Sequence, residues 1–214
     1  MDQWMEAVIQ AAKTPLDQVI IYQIKIQALD GQSNHREVIA TGSLILNQLG
    51  IELPNNVTPE IFEQEIQEIT ALIGERSIEE LFDLPKMVDA RRVAIQKIAA
   101  SILPALFITK SPIFPFLVTF KVREAIQFGN SPSSPIGYAG YGILLSAFMQ
   151  AVDLANQFAQ LAYRLCQEPY SKEFQASAIA PIAGLLHYQK SSLRETLPML
   201  LKGYQVGIET GELN

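Results

Sequence analysis

Proline and glycine punctuate this chain at intervals that suit helices, and they leave little room for anything else. Thr58-Pro59, Ser111-Pro112 and Ser134-Pro135 each place a capping hydroxyl before a proline at the first helical position. Asn34 with Glu37, Ser77 with Glu80 and Ser192 with Glu195 have the spacing of a capping box. Gly50, Gly74, Gly129 and Gly211 stand where helices end on a left-handed residue. Between these marks the apolar residues recur every three to four positions. The cleanest case is Phe62, Ile66, Ile69 and Ile73, opened by Glu60, Glu63 and Glu65 in the turns the helix dipole favours for negative charge.

The remaining segments follow the same rule. Met5 to Lys13 reads as a short helix. Leu16 to Leu29 is ambiguous: Tyr22, Ile24, Ile26 and Ala28 alternate as in a strand, while Leu16, Val19, Ile20 and Ile24 fit a helix. Helix is preferred, because no other segment offers a strand partner and a lone strand leaves its backbone unsatisfied. A helix from Asp89 to about Ile108 contains Pro104, which should kink it. The Ser111 helix ends at Gly129, and Asn130 to Pro135 forms a loop. Gly137, Ala139, Gly140 and Gly142 in the next helix indicate a close helical neighbour. Asp153 is expected to cap a helix through Leu165, and Ser171 and Ser192 to begin the last two.

The expected fold is all-α, with about ten helices joined by short connections. The Asn34 and Thr58 helices start 24 residues apart, the Ser111 and Ser134 helices 23 apart, and the Asp153 and Ser192 helices 39 apart. Helix hairpins of such length suit a TPR-like right-handed α-solenoid, with Tyr138 to Leu165 its most TPR-like piece. The 214 residues are read as one domain, with a sub-boundary near 130–135.

Composition narrows the function classes. The chain is 49% hydrophobic and 18% charged, enough to bury a sizeable core. A net charge of −6, with Arg91-Arg92 the nearest thing to a basic cluster, argues against nucleic acid. The single Cys166 cannot form an internal disulfide and fits a reducing cytoplasm. With two histidines there is no zinc set, and no cofactor is expected. Val93 to Phe120 is the most apolar stretch, but Lys97, Lys110 and three prolines interrupt it, so it reads as two buried helices rather than a membrane span.

Catalytic patterns are wanting. GxxxxGKS, GxxxxGKT, GxGxxG, HRD, DFG, GxSxG and HExxH are not found. Glu79-Glu80 are adjacent and face different directions on a helix. His187 would suit a phosphoacceptor or a general base, but Tyr188 follows where an acidic residue is usual, so a partly buried histidine at a helix contact is the reading adopted. His35 is expected to face solvent, and Cys166 to be a small core residue. Phe107, Phe114, Phe116, Phe120 and Phe128 read as core before pocket lining. Gly203 and Gly207 mark a close helix crossing.

Four stretches together resemble a known family. They are Glu37 to Pro54 (EVIATGSLILNQLGIELP), Ser77 to Val88 (SIEELFDLPKMV), Ile113 to Leu145 (with FPFLVTFKVREAIQFGNSP and YAGYGILLS) and Glu195 to Leu213 (ETLPMLLKGYQVGIETGEL). They resemble the helical region of the large bacterial multi-domain signalling kinases. Those proteins join a Ser/Thr kinase domain, an AAA/STAND-type ATPase, a long TPR-like region, a GAF domain and a sensor histidine kinase. The resemblance covers nearly the whole chain and includes no catalytic motif. It implies a non-enzymatic regulatory or scaffolding segment between ATPase and sensor-kinase parts, with protein partners. It also implies an excised piece whose terminal helices expose apolar faces and offer them for dimerisation. A stand-alone helical adaptor binding a peptide is the second reading, and an all-α enzyme or small-ligand carrier the third.

Overall fold

The computed structural model describes residues 12, 14–54, 57–189 and 192–211. Nine α-helices and no strand occur among the described residues, as the all-α reading requires. They are α1 (Pro15–Asp30), α2 (His35–Gln48), α3 (Pro59–Ile73), α4 (Ala90–Ile108), α5 (Ile113–Phe128), α6 (Ser134–Met149), α7 (Val152–Cys166), α8 (Gln175–Pro181) and α9 (Leu193–Thr210). Short 3-10 turns cover Glu79–Asp83, Pro169–Phe174 and His187–Gln189. The expected Met5–Lys13 helix lies outside the described residues.

The chain forms two compact units, each built from two stretches: 1–58 with 88–117, and 59–87 with 118–214. In the first unit α1, α2 and α4 each pack against the other two. Val19, Tyr22 and Ile26 of α1 meet a core that includes Val38, Ile45, Leu46, Ile98, Ile102 and Leu106, each under about a tenth exposed. Burying each such side chain contributes ~1.5–3 kcal/mol. Gly42 lets α2 close on α4, because any Cβ there would strike Ile102. Arg91, in the first turn of α4, donates to the Leu49 carbonyl at 2.6 Å and satisfies the end of α2. The alternation in α1 has a simple cause. Val19, Tyr22 and Ile26 face inward, while Leu16, Ile20 and Ile24 face solvent, so the helix is apolar on two sides.

The second unit contains α3, the greater part of α5, and α6 to α9. Its densest pairing is the α6–α7 hairpin. Tyr141 meets Phe158 edge-on at 4.9 Å, and Tyr138 stacks on the same ring at 6.1 Å. The glycine-rich face of α6 does bring a neighbour close: a Cβ at Gly140 would lie 3.0 Å from Val118 of α5, and one at Gly137 would lie 3.1 Å from Lys121. Gly203 is similarly tight, 2.8 Å from Ile179 by the same measure. Its close crossing is between α9 and α8.

Three expectations need correction. Asp153 does not cap α7; it lies in the first turn, and Ala151 holds the cap position without a side-chain bond. No helix starts at Ser171. That hydroxyl is buried inside the Pro169–Phe174 turn, α8 begins at Gln175, and a π-turn over Ile182–Leu186 follows Pro181. Pro181 brings no N–H to the α-helical ladder, which favours the switch. The phenylalanines are not a common core: Phe120 alone is buried, Phe107 and Phe128 are exposed, and Phe114 and Phe116 are half-buried. Phe107 and Phe114 share a tilted ring contact at 5.4 Å.

Candidate functional site: a closed polar cluster and open apolar faces

The second unit buries a polar cluster where α5 meets the 130–135 loop. A backbone loop needs partners wherever water is excluded. Here Asn130 supplies several. Its amide nitrogen donates to the Leu81 carbonyl at 2.8 Å, and its side-chain oxygen accepts from the Tyr138 hydroxyl at 3.1 Å. Its backbone N–H donates to the Pro85 carbonyl at 2.8 Å, and its carbonyl accepts from Met87 at 2.9 Å. Gly129 just before it has φ +98°, and a side chain there would run into the Pro85 carbonyl. Only glycine combines that backbone with that approach.

Lys121 sits beside this loop, 1% exposed, its ammonium donating to Ser133 Oγ at 3.0 Å. Ser133 Oγ is 3.3 Å from Ser131 Oγ, which is 3.2 Å from Ser134 Oγ. Burial pushes the Lys121 ammonium well below the usual lysine range. An amine and a hydroxyl so placed resemble an activated nucleophile and its base. Ser131 and Ser133 are fully buried, however, and substrate has no approach to them. The cluster therefore organises the α5–α6 connection. Sequence reasoning passed over Lys121. The available signal was one lysine inside the apolar run from Phe116 to Val122 (FLVTFKV).

The other polar residues read from the sequence are dispersed. Glu79 pairs with Arg164 at 3.1 Å, and the Arg164 guanidinium also covers the Phe82 ring at 3.8 Å. Glu80 turns back to Ser77; hydrogen bonding from the Ser77 backbone and hydroxyl lowers its pKa. The two carboxylates do not converge. His35 is half-buried rather than solvent-facing, its Nδ1 3.6 Å from Asp30. His187 is half-buried in its 3-10 turn. Cys166 ends α7 and is fully buried, and burial pushes its thiol up to about 11, against reactivity. Among the described residues no group of His, Cys, Asp and Glu could hold a metal, and no helix is long and apolar enough to cross a membrane.

The open features are apolar. On α9, Leu197, Leu200, Leu201, Tyr204 and Ile208 are 41–70% exposed. On α1, Leu16, Ile20 and Ile24 form a shorter stripe. Phe148 and Met149 end α6 in the open, and Phe148 meets Phe62 of α3 edge-on at 5.6 Å. With Pro59, Glu63, Ile66 and Gln67 they line a shallow groove of about 420 Å³. Arg123 of α5 braces the opposite side of α3, at 2.8 Å from Glu65 and 3.1 Å from Glu68.

No protein-family description, no curated protein and no solved structure matches this chain.

Proposed function

We propose that this chain is a non-catalytic helical segment of a multi-domain signal-transduction kinase, a TPR-like regulatory or scaffolding module between ATPase and sensor-kinase parts, in the cytoplasm. The observation that carries the reading is the outward apolar face on both the first and the last described helices, α1 and α9. Helical repeats bury their faces on neighbours, so a repeat segment shows unpartnered faces on its outer helices. The likeness of Glu37 to Pro54, Ser77 to Val88, Ile113 to Leu145 and Glu195 to Leu213 to the helical region of those kinases supplies the context. Such a segment transmits a signal by shifting the population between packings of adjacent helices. Its partners are proteins: other parts of the same polypeptide, a signalling partner, or a second copy through the terminal helices.

The test is the size of the native product. An antibody against this segment, applied to a lysate of the source cells, should mark a band far above 23.7 kDa. A band near that mass overturns the kinase assignment. The groove at Phe62 and Phe148 favours the second reading, a stand-alone helical adaptor that takes an apolar peptide side chain. In that case Phe148→Glu should abolish capture of the peptide partner.

A further inference from the structure

We propose that α9 is a self-association helix, which pairs antiparallel with α9 of a second copy. The proposal deepens the contact-surface reading but does not need its kinase context, and its test is separate from the immunoblot.

The first argument is register. Leu197, Leu201, Tyr204 and Ile208 are spaced four, three and four residues apart. Over three turns those spacings keep the four side chains on one face of the helix. The core-facing residues of the same helix, Thr196, Gly203, Val206 and Gly207, are buried and occupy a different side. The seam is thus surplus to the folding of its own unit.

The second argument is charge. Three of the four ionic residues of α9, all but Arg194, are engaged within the chain. Glu195 closes the capping box with Ser192. Lys202 reaches Gln167 and lies 5.8 Å from the Tyr163 ring. Glu209 pairs with Lys172 at 3.5 Å. What remains along the seam is uncharged from Leu197 to Ile208. A partner with acidic or basic residues facing it would bury them unpaired, which is costly. An identical seam avoids that cost.

The third argument is orientation. Continued by seven residues each way, the seam reaches Arg194 at one end and Gly211 at the other. In an antiparallel pair Leu197 faces Ile208 of the second copy, Leu201 faces Tyr204, and Arg194 faces the helix end at Gly211. That end carries the negative pole of the helix dipole, which a guanidinium complements. A parallel pair would instead set Arg194 against Arg194. The seam side chains, with Leu200 beside them, are 41–70% exposed, apolar surface that an identical seam would cover.

Sedimentation equilibrium of the 214-residue chain from ~1 to ~200 µM should show a monomer–dimer equilibrium. Leu201→Glu and Tyr204→Glu should each weaken it more than tenfold with unchanged helicity by circular dichroism. Leu44→Glu, at an exposed apolar site on α2, should leave it intact. In a Cys166→Ala background, a mixture of the Leu201→Cys and Tyr204→Cys chains should form the mixed disulfide in preference to either symmetric one. A monomer at ~200 µM, or a dimer that survives both glutamates together, overturns the proposal. A dominant Tyr204→Cys symmetric disulfide overturns the antiparallel orientation.

Discussion

Lys121 is held where water does not reach, and the fold must pay to keep its amine there or to keep it charged. A free lysine titrates near ~10.4. Burial lowers that value in the native state. Between the two values the unfolded chain holds a proton that the folded chain does not, so stability rises as pH climbs toward ~10 and falls as pH drops to the folded value. Lys121→Met should therefore stabilise the protein at pH 7, by about 1–3 kcal/mol. It should also flatten the difference in melting temperature between pH 7 and pH 9.5, read from parallel thermal melts of variant and parent. A variant less stable than the parent at both values would show that the Ser133 bond outweighs burial. Asn130 poses the opposite case. Asn130→Leu leaves the Leu81 carbonyl and the Tyr138 hydroxyl without it, and should cost about 2–4 kcal/mol in urea unfolding. Neither residue was singled out from the sequence, because each owes its role to partners that the fold supplies: Leu81 lies 49 positions from Asn130, and Ser133 lies 12 from Lys121.

At the scale of the element, the caps carry the prediction that is simplest to check. Ser192 accepts from the Glu195 N–H at 3.3 Å while the Glu195 carboxylate accepts from the Ser192 N–H at 3.1 Å. Ser192→Ala should cost about 1 kcal/mol, seen as a fall in urea midpoint with unchanged slope. Helix starts such as this one and that at Asn34, and helix ends at Gly50, Gly74 and Gly211, are legible because their signals lie within a few residues of one another. The misreadings at Asp153 and Ser171 are capping residues put to other uses by their surroundings; Ser171 is buried. The faces of helices were harder to read. Both α1 and α9 are apolar on two sides, so periodicity identifies a helix without saying which side the core covers. The candidate interface on α9 was foreseeable only as an exposed terminal helix, whereas its seam emerges from the burial of Gly203, Val206 and Gly207 on the other side.

For the whole molecule, the net charge of −6 and the scattered basic residues lead to a further expectation. The chain should pass through heparin at ~150 mM salt and bind an anion exchanger at low salt, because a polyanion finds no basic face on which to release counterions. Retention on heparin would revive a nucleic-acid role. The all-helical class was readable from the sequence, since local signals repeat along its length. The division into two units was not: it follows from contacts between stretches distant in sequence. The loop at 130–135, an apparent boundary, is largely buried inside the second unit. The interleaving of the two units also matters for the ribosome. The first unit is interrupted by residues 59–87, and its second stretch ends only at residue 117. At ~5–20 residues per second, the exposed half made of α1 and α2 waits about 1.5–6 s for those 29 intervening residues before α4 even begins to emerge. A single proteolytic cut at any of the three crossings would likewise yield no piece that contains one whole unit and nothing else.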